Sequence, residues 1–124
     1  MPNSRWSSSI TSMESARHPH TFLGIDAEGA SSVIHTTGNP DGHVILRGGR
    51  TPNYDADSLR ACEALLRRSG LPSRIVVDCS HAQTGKDYTR QPEVLADVVR
   101  QARVGDSPIM PRSWLLASAF VLSI

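Results

Sequence analysis

Two short polar words stand out in the chain, Arg47-Gly48-Gly49 and Asp78-Cys79-Ser80-His81. Each directly follows an apolar run, His43-Val-Ile-Leu46 and Ile75-Val-Val77. An arginine suits a phosphate because its planar fork is permanently charged and can bind two oxygens at once. Paired glycines let backbone come close to a ligand, with positive φ open to them at no steric cost. His81 brings an imidazole, which serves as a metal ligand or as an acid/base group. Asp78 can orient His81 or cap the segment that follows, and the sequence leaves both roles open. Plainer readings stand beside these: Arg-Gly-Gly is also an ordinary turn, and a histidine after a strand is commonly a hydrogen-bonded loop residue. His18 and His20 alternate along an extended segment, a metal spacing in principle, but no third ligand is near and a structural role fits better. His35 reads as a surface hairpin residue, and Lys86 and Arg90 as solvated loop charges.

The elements that must position the two words are legible around them. Residues 1–9 are Ser-rich and without periodicity, and read as a disordered start. Ile10 to Arg17 reads as the end of a helix with Ile10, Met13 and Ala16 on one face, stopped by Pro19. Thr21 to Ile25 reads as a short buried strand, and Ser32 to Thr36 as its hairpin partner across a Glu28-Gly29 turn. After the turn-rich Gly38-Asn-Pro-Asp-Gly42 comes the first apolar run, and then a helix predicted over Asp57 to Arg68. That helix carries Leu59, Cys62, Leu65 and Leu66 on one stripe, Asp55 or Asp57 as its cap, and Gly70 and Pro72 as its stop. The second apolar run follows, then a helix opened by Pro92 with Val94, Leu95, Val98, Val99 and Ala102 on its apolar face. Pro108-Ile-Met110 reads as the entry to a third strand.

Strand, helix, strand, helix, strand predicts a parallel α/β sheet, since parallel strands need a crossover. All-apolar strand centres predict cover on both faces. Functional groups in such sheets gather at the carboxyl ends of the strands, and neighbouring strands run about 4.8 Å apart. Arg47 and His81 are therefore expected to converge on one patch.

Composition bounds the rest. Net charge is +1, so no overall field recruits nucleic acid or an anionic membrane, and an anion must be held locally. Cys62 and Cys79 form no zinc or redox spacing, and with no secretory h-region they point to a reducing cytoplasm. The most apolar stretch, Trp114 to Ile124, is far shorter than the roughly 20 residues of a membrane helix.

The run Gly38-Asn-Pro-Asp-Gly-His-Val-Ile-Leu-Arg-Gly-Gly-Arg-Thr-Pro-Asn-Tyr54 closely resembles class I 3-deoxy-D-arabino-heptulosonate 7-phosphate synthases. So do Asp78-Cys-Ser-His81 with Ala82, the Gly70-Leu-Pro72 turn before that strand, and Pro19-His20 before Phe22-Leu23. The likeness runs from about Ile10 to Met110 and covers only the later part of the family's TIM (β/α)8 barrel, with an inserted β-hairpin. It implies a transferase that condenses phosphoenolpyruvate with erythrose 4-phosphate, at the entry to aromatic amino acid biosynthesis. It further implies that Arg47, with Gly48 and Gly49, binds the phosphate of phosphoenolpyruvate. His81 would ligate a divalent metal of Mn, Fe, Co or Zn type, with Asp78 in support.

The departures carry equal weight. The family's cysteine ligand lies in an earlier part of the barrel, and neither Cys62 nor Cys79 matches it. The Lys-Pro-Arg word for the sugar phosphate is absent. After Met110 the family continues Gly-Val-Met, a variable residue, Glu-Ser, with the glutamate a metal ligand, whereas Leu115 stands at that glutamate position. Residues 111–124 are thus read as a non-matching apolar tail, and the break as a frameshift, retained intron or truncated gene model. About half of a barrel of roughly 250 residues, with one of its metal ligands, is expected to be inactive alone. The alternative is a non-catalytic piece that docks onto a full-length synthase subunit, or a homo-oligomer.

Overall fold

The computed structural model describes residues 6–105 and 107–109, and divides the chain into two compact units, Met1–Gly42 and His43–Ile124. The expected tail, residues 111–124, lies outside the described residues.

In the first unit, helix α1 spans Ser7–Ala16, so it begins three residues before the predicted Ile10 and takes in the end of the expected disordered start. Serine and threonine are weak helix formers because their hydroxyls compete for backbone groups. Here the hydroxyls bond within the helix, Thr11 Oγ1 to Ser7 O at 2.9 Å and Ser12 Oγ to Ser8 O at 2.8 Å. Ile10 and Met13 are buried as the periodicity required, while Ala16 in the last turn is exposed. The last turn is closed by the Asn39 N–H on Ala16 O and by His20 Nε2, which donates to Ser15 O at 2.7 Å. That bond gives His20 a structural task at a helix carboxyl end, where backbone carbonyls lack intrahelical donors.

Strands β1 (Thr21–Ile25) and β2 (Ser31–His35) form the expected antiparallel hairpin, in register from Thr21↔His35 to Ile25↔Ser31. Asp26 organises its turn, taking the Ala30 N–H on Oδ1 and the Ser32 hydroxyl on Oδ2, while Gly29 supplies the positive φ. The expectation that β1 is buried is corrected: Leu23 is 82% exposed and Ile25 73%. A two-stranded ribbon shields neither of its own faces. His35 pairs across the ribbon with the Thr21 hydroxyl.

The second unit is built on β3 (Val44–Leu46) and β4 (Ile75–Val77), paired in parallel as Val44↔Ile75, Ile45↔Val76 and Leu46↔Val77. Their crossover is α2 (Ala56–Arg68). Asp55 is the residue that caps it, taking the Ser58 N–H at 2.9 Å and the Ser58 hydroxyl at 2.7 Å. At the far end Gly70 adopts positive φ and donates to Arg67 O, and the buried Leu71 donates to Leu66 O. Both bonds satisfy otherwise orphaned carbonyls, the paired-bond helix stop that glycine favours. Helix α3 (Gln91–Ala102) follows, with Pro92 in its first turn, and Ile109 then bridges in parallel to Ile75, as a third strand should. Leu59, Cys62, Leu66, Val94 and Val98 complete the apolar interior with the strand side chains. Strand β4 is buried at every residue, but Ile45 of β3 is 46% exposed. Cover on both faces therefore holds for β4 and fails for β3, which has no second strand neighbour among the described residues.

Hydrogen bonds from Ser58 hold the Asp55 carboxyl below its ordinary value of 3.8 despite partial burial. Its contribution is thus complete above that pH and lost as pH falls through the lower folded value. Asp55→Ala is expected to reduce stability by about 1 kcal/mol at neutral pH. In urea unfolding the gap to the parent chain should close on acidification, while Asp55→Asn, which keeps a capping oxygen, should stay near the parent.

Candidate active site

The parallel register sets the site. Leu46 and Val77 are partners, and the Asp78 N–H donates to Leu46 O at 3.0 Å, so the residues that follow the two strands leave the sheet side by side. Arg47 and His81 do converge: Arg47 Nη2 lies 2.7 Å from His81 Nε2, and Arg47 Nε lies 3.5 Å from Asp78 Oδ2. Asp78 lies against His81 and closes a local turn onto Ser80, while the 3₁₀ turn His81–Gln83 that follows has no side-chain cap. Its Oδ2 faces His81 Nδ1 at 2.8 Å, and its Oδ1 accepts the Ser80 N–H at 2.9 Å and the Ser80 hydroxyl at 2.5 Å. Burial pushes the Asp78 carboxyl up, but the Ser80 hydroxyl and N–H and the neighbouring His81 outweigh it and hold the group below its ordinary value. It is therefore a carboxylate at neutral pH.

His81 sits at φ 51, in the left-handed region that non-glycine residues seldom adopt. Its carbonyl accepts the Lys86 N–H at 2.9 Å and the Thr84 hydroxyl at 3.3 Å, which helps fix that conformation. Strain of this kind persists where surrounding bonds over-determine it, commonly at functional sites.

The two glycines help to close the turn that follows β3. Gly48 donates its N–H to Asn53 Oδ1 at 2.9 Å, and Gly49 donates to Thr51 O at 3.0 Å. Both amides are therefore engaged inside the turn. Gly48 is required for shape: its φ is +74, and a Cβ there would come within 2.9 Å of Ala82. No such crowding exists at Gly49.

Two residues that sequence reasoning missed hold this turn. Gln83 is wholly buried, and its Nε2 donates to Asn53 Oδ1 at 2.7 Å and to Leu46 O at 3.2 Å. Its Oε1 accepts the Asn53 N–H at 2.8 Å. A buried amide must have partners for both ends, and this one finds them in the loop after β3. The only sequence signal was the position of each residue, Asn53 inside the long matching run and Gln83 directly after Ser-His-Ala. Ser80 was likewise unassigned, and its hydroxyl supports both Asp78 and His81.

Burial pushes both cysteine thiols up to about 11, Cys79 with help from the Asp78 charge, so both rest as neutral thiols at neutral pH. No group of three or more His, Cys, Asp or Glu able to hold a metal occurs among the described residues. His81 fits one corner of a metal site, with a carboxylate orienting the ring as metal-bound histidines usually have. No helix among the described residues is long and apolar enough to cross a membrane.

Residues 4–115 match the DAHP synthetase I family, a wider span than the motifs alone suggested. The chain is 46% identical over 101 residues to the Tyr-sensitive phospho-2-dehydro-3-deoxyheptonate aldolase of Escherichia coli K12, covering 82% of this chain and 28% of that one. It is 40% identical over 114 residues to the aldolase of Corynebacterium glutamicum, covering 89% and 30%. The solved phospho-2-dehydro-3-deoxyheptonate aldolase of Francisella tularensis superposes with a TM-score of 0.78 at 34% identity, over 87% of this chain and 32% of that one. The chain thus spans about a third or less of the length of these relatives.

Gly48→Ala is expected to lower stability by about 1–3 kcal/mol, since it combines left-handed backbone with overlap at Ala82. Gly49→Ala should fall within about 0.5 kcal/mol of the parent. Paired urea melts of the two variants check this, and equal losses would contradict the assigned difference.

Proposed function

The chain belongs to the DAHP synthetase I family, and from that premise we propose that it carries part of the active site of a 3-deoxy-7-phosphoheptulonate synthase. In this reading residues 10–110 are a later part of a (β/α)8 barrel, its βα units carrying an inserted β-hairpin. The whole enzyme, a transferase acting in the cytoplasm, condenses phosphoenolpyruvate with erythrose 4-phosphate on the route to the aromatic amino acids. The observation that carries the proposal is the cluster of Arg47, Asp78 and His81 at the carboxyl ends of two adjacent parallel strands. That is where α/β folds place their chemistry.

Each residue has a task that its surroundings support. Arg47 presents a side chain that is 57% exposed and permanently charged, suited to a phosphate arriving from solvent. Gly48 sets the turn that aims Arg47, and Asn53 and Gln83 hold that turn from beneath. Asp78 fixes the tautomer and direction of the His81 ring. His81 would hold a divalent metal through Nε2, and such an ion when bound polarises an oxygen of the substrate as a Lewis acid. Catalytic sites of this type need three or four ligands, and the described residues bring one. The complete site therefore needs ligands that other parts of a full-length synthase would supply.

A second reading is that the chain docks onto a full-length synthase subunit. The exposed apolar hairpin favours it, as does β3, which has no second strand neighbour among the described residues, since an unpaired strand edge is a template for pairing. Co-purification with such a subunit tests it.

The purified chain, given phosphoenolpyruvate, erythrose 4-phosphate and Mn²⁺, is expected to show no turnover, and product formation would overturn the incomplete site. Phosphoenolpyruvate alone at about ten times its Kd should stabilise the chain by about 1.4 kcal/mol, because it binds only the folded form. In Arg47→Ala that gain should vanish, and an undiminished gain would remove Arg47 from the phosphate site.

A further inference from the structure

Ahead of β3 the chain runs through Asn39-Pro40-Asp41-Gly42, with Pro40 and Asp41 in an exposed turn. Asn39 is anchored, its N–H donating to Ala16 O at 2.7 Å and its Oδ1 accepting the Asp41 N–H at 2.9 Å. The next backbone anchor is Val44, whose N–H donates to Arg74 O at 3.0 Å. Between these anchors the amides of Gly42 and His43 have no hydrogen-bond partner among the described residues. The Gly42 nitrogen is thus an unengaged nucleophile one ring closure away from the Asp41 carboxyl carbon. Gly42 has no Cβ to hinder that closure.

Asp41-Gly42 is the only Asp-Gly or Asn-Gly pair in the sequence. Its neighbours are blocked in different ways. Asn39 precedes Pro40, which has no N–H to attack with. Asp26 has both carboxyl oxygens engaged, by the Ala30 N–H at 2.8 Å and the Ser32 hydroxyl at 2.7 Å.

We propose that Asp41-Gly42 is a site of spontaneous modification, at which the folded chain converts Asp41 to isoaspartate. The Gly42 nitrogen bonds to Asp41 Cγ, a Cγ–O bond breaks, and the carboxyl hydroxyl leaves with the amide proton as water. Solvent water then opens the resulting succinimide. Attack at Cγ restores aspartate, whereas attack at the main-chain carbonyl breaks its bond to nitrogen and leaves isoaspartate. The product has the same mass but one more methylene in the main chain between Asn39 and Val44.

The test incubates the whole chain in H₂¹⁸O for several weeks at neutral pH and body temperature, followed by trypsin. Peptide 18–47 holds both Asp41 and Asp26. Heavy oxygen should enter Asp41 at least about tenfold faster than Asp26. Cleavage by an aspartate-directed endoprotease should be lost at Asp41 in step. Gly42→Ala should react about tenfold more slowly than the parent. Its Cβ would sit 3.5 Å from the Met13 side chain, an ordinary contact, so the turn is kept. Asp41→Asn should react about tenfold faster, releasing ammonia instead of water. Label that enters Asp41 only in urea would overturn the proposal, because the fold would then shield the pair. Equal rates in Gly42→Ala and the parent would overturn attack by the Gly42 nitrogen.

Discussion

The parallel pairing of Leu46 with Val77 is the constraint on which the described site depends. Parallel strands run in one direction, so both chains leave the sheet at the same edge and their next residues are neighbours. The Asp78 N–H bond to Leu46 O extends that pairing by one residue beyond the strands. A hairpin would have put the ends of its two strands at opposite edges. With the ends together, a charged fork, a carboxylate and an imidazole meet within hydrogen-bond reach, though they come from positions 34 residues apart.

Around that meeting the chain spends buried polar groups freely. Buried Ser80, Asn53 and Gln83 and half-buried Asp78 all have partners, among them one another, the turn amides, Arg47, His81 and the ends of the strands. A fully satisfied network in a low-dielectric setting is stiff, because any displacement strands a donor or an acceptor. Stiffness under the turn suits a site that must present Arg47 in one direction. The side chain itself stays half exposed, and rigidity ends where the ligand would begin.

Much of this was legible in the residues. Apolar runs, helix stripes, Asp55, Gly70 and the chemistry-bearing words each follow from short-range rules, and the helices and the paired strands appear where those rules put them. The convergence of Arg47 with His81 needed one further step, the crossover rule that makes the strands parallel. What stayed hidden was relational. Nothing local separates Gln83 from an ordinary surface amide, and its burial arises only when the 3₁₀ turn of His81–Gln83 folds under the loop after β3. The same holds for the glycines, whose type announced a special turn but not that their amides would be engaged inside it. The exposure of β1 was misread because five residues rich in apolar side chains look alike whether a second layer covers them or not.

The two thiols have a consequence of their own. With both pushed up to about 11, very little of either thiol is ionised at neutral pH. Both side chains are also fully shielded from solvent. Cys62 lies on the buried stripe of α2 and Cys79 directly beside the site, so alkylating reagents reach them only when that part of the molecule opens. Their rate of modification is therefore a clock for local opening, with one hand on the crossover helix and the other beneath Asp78 and His81.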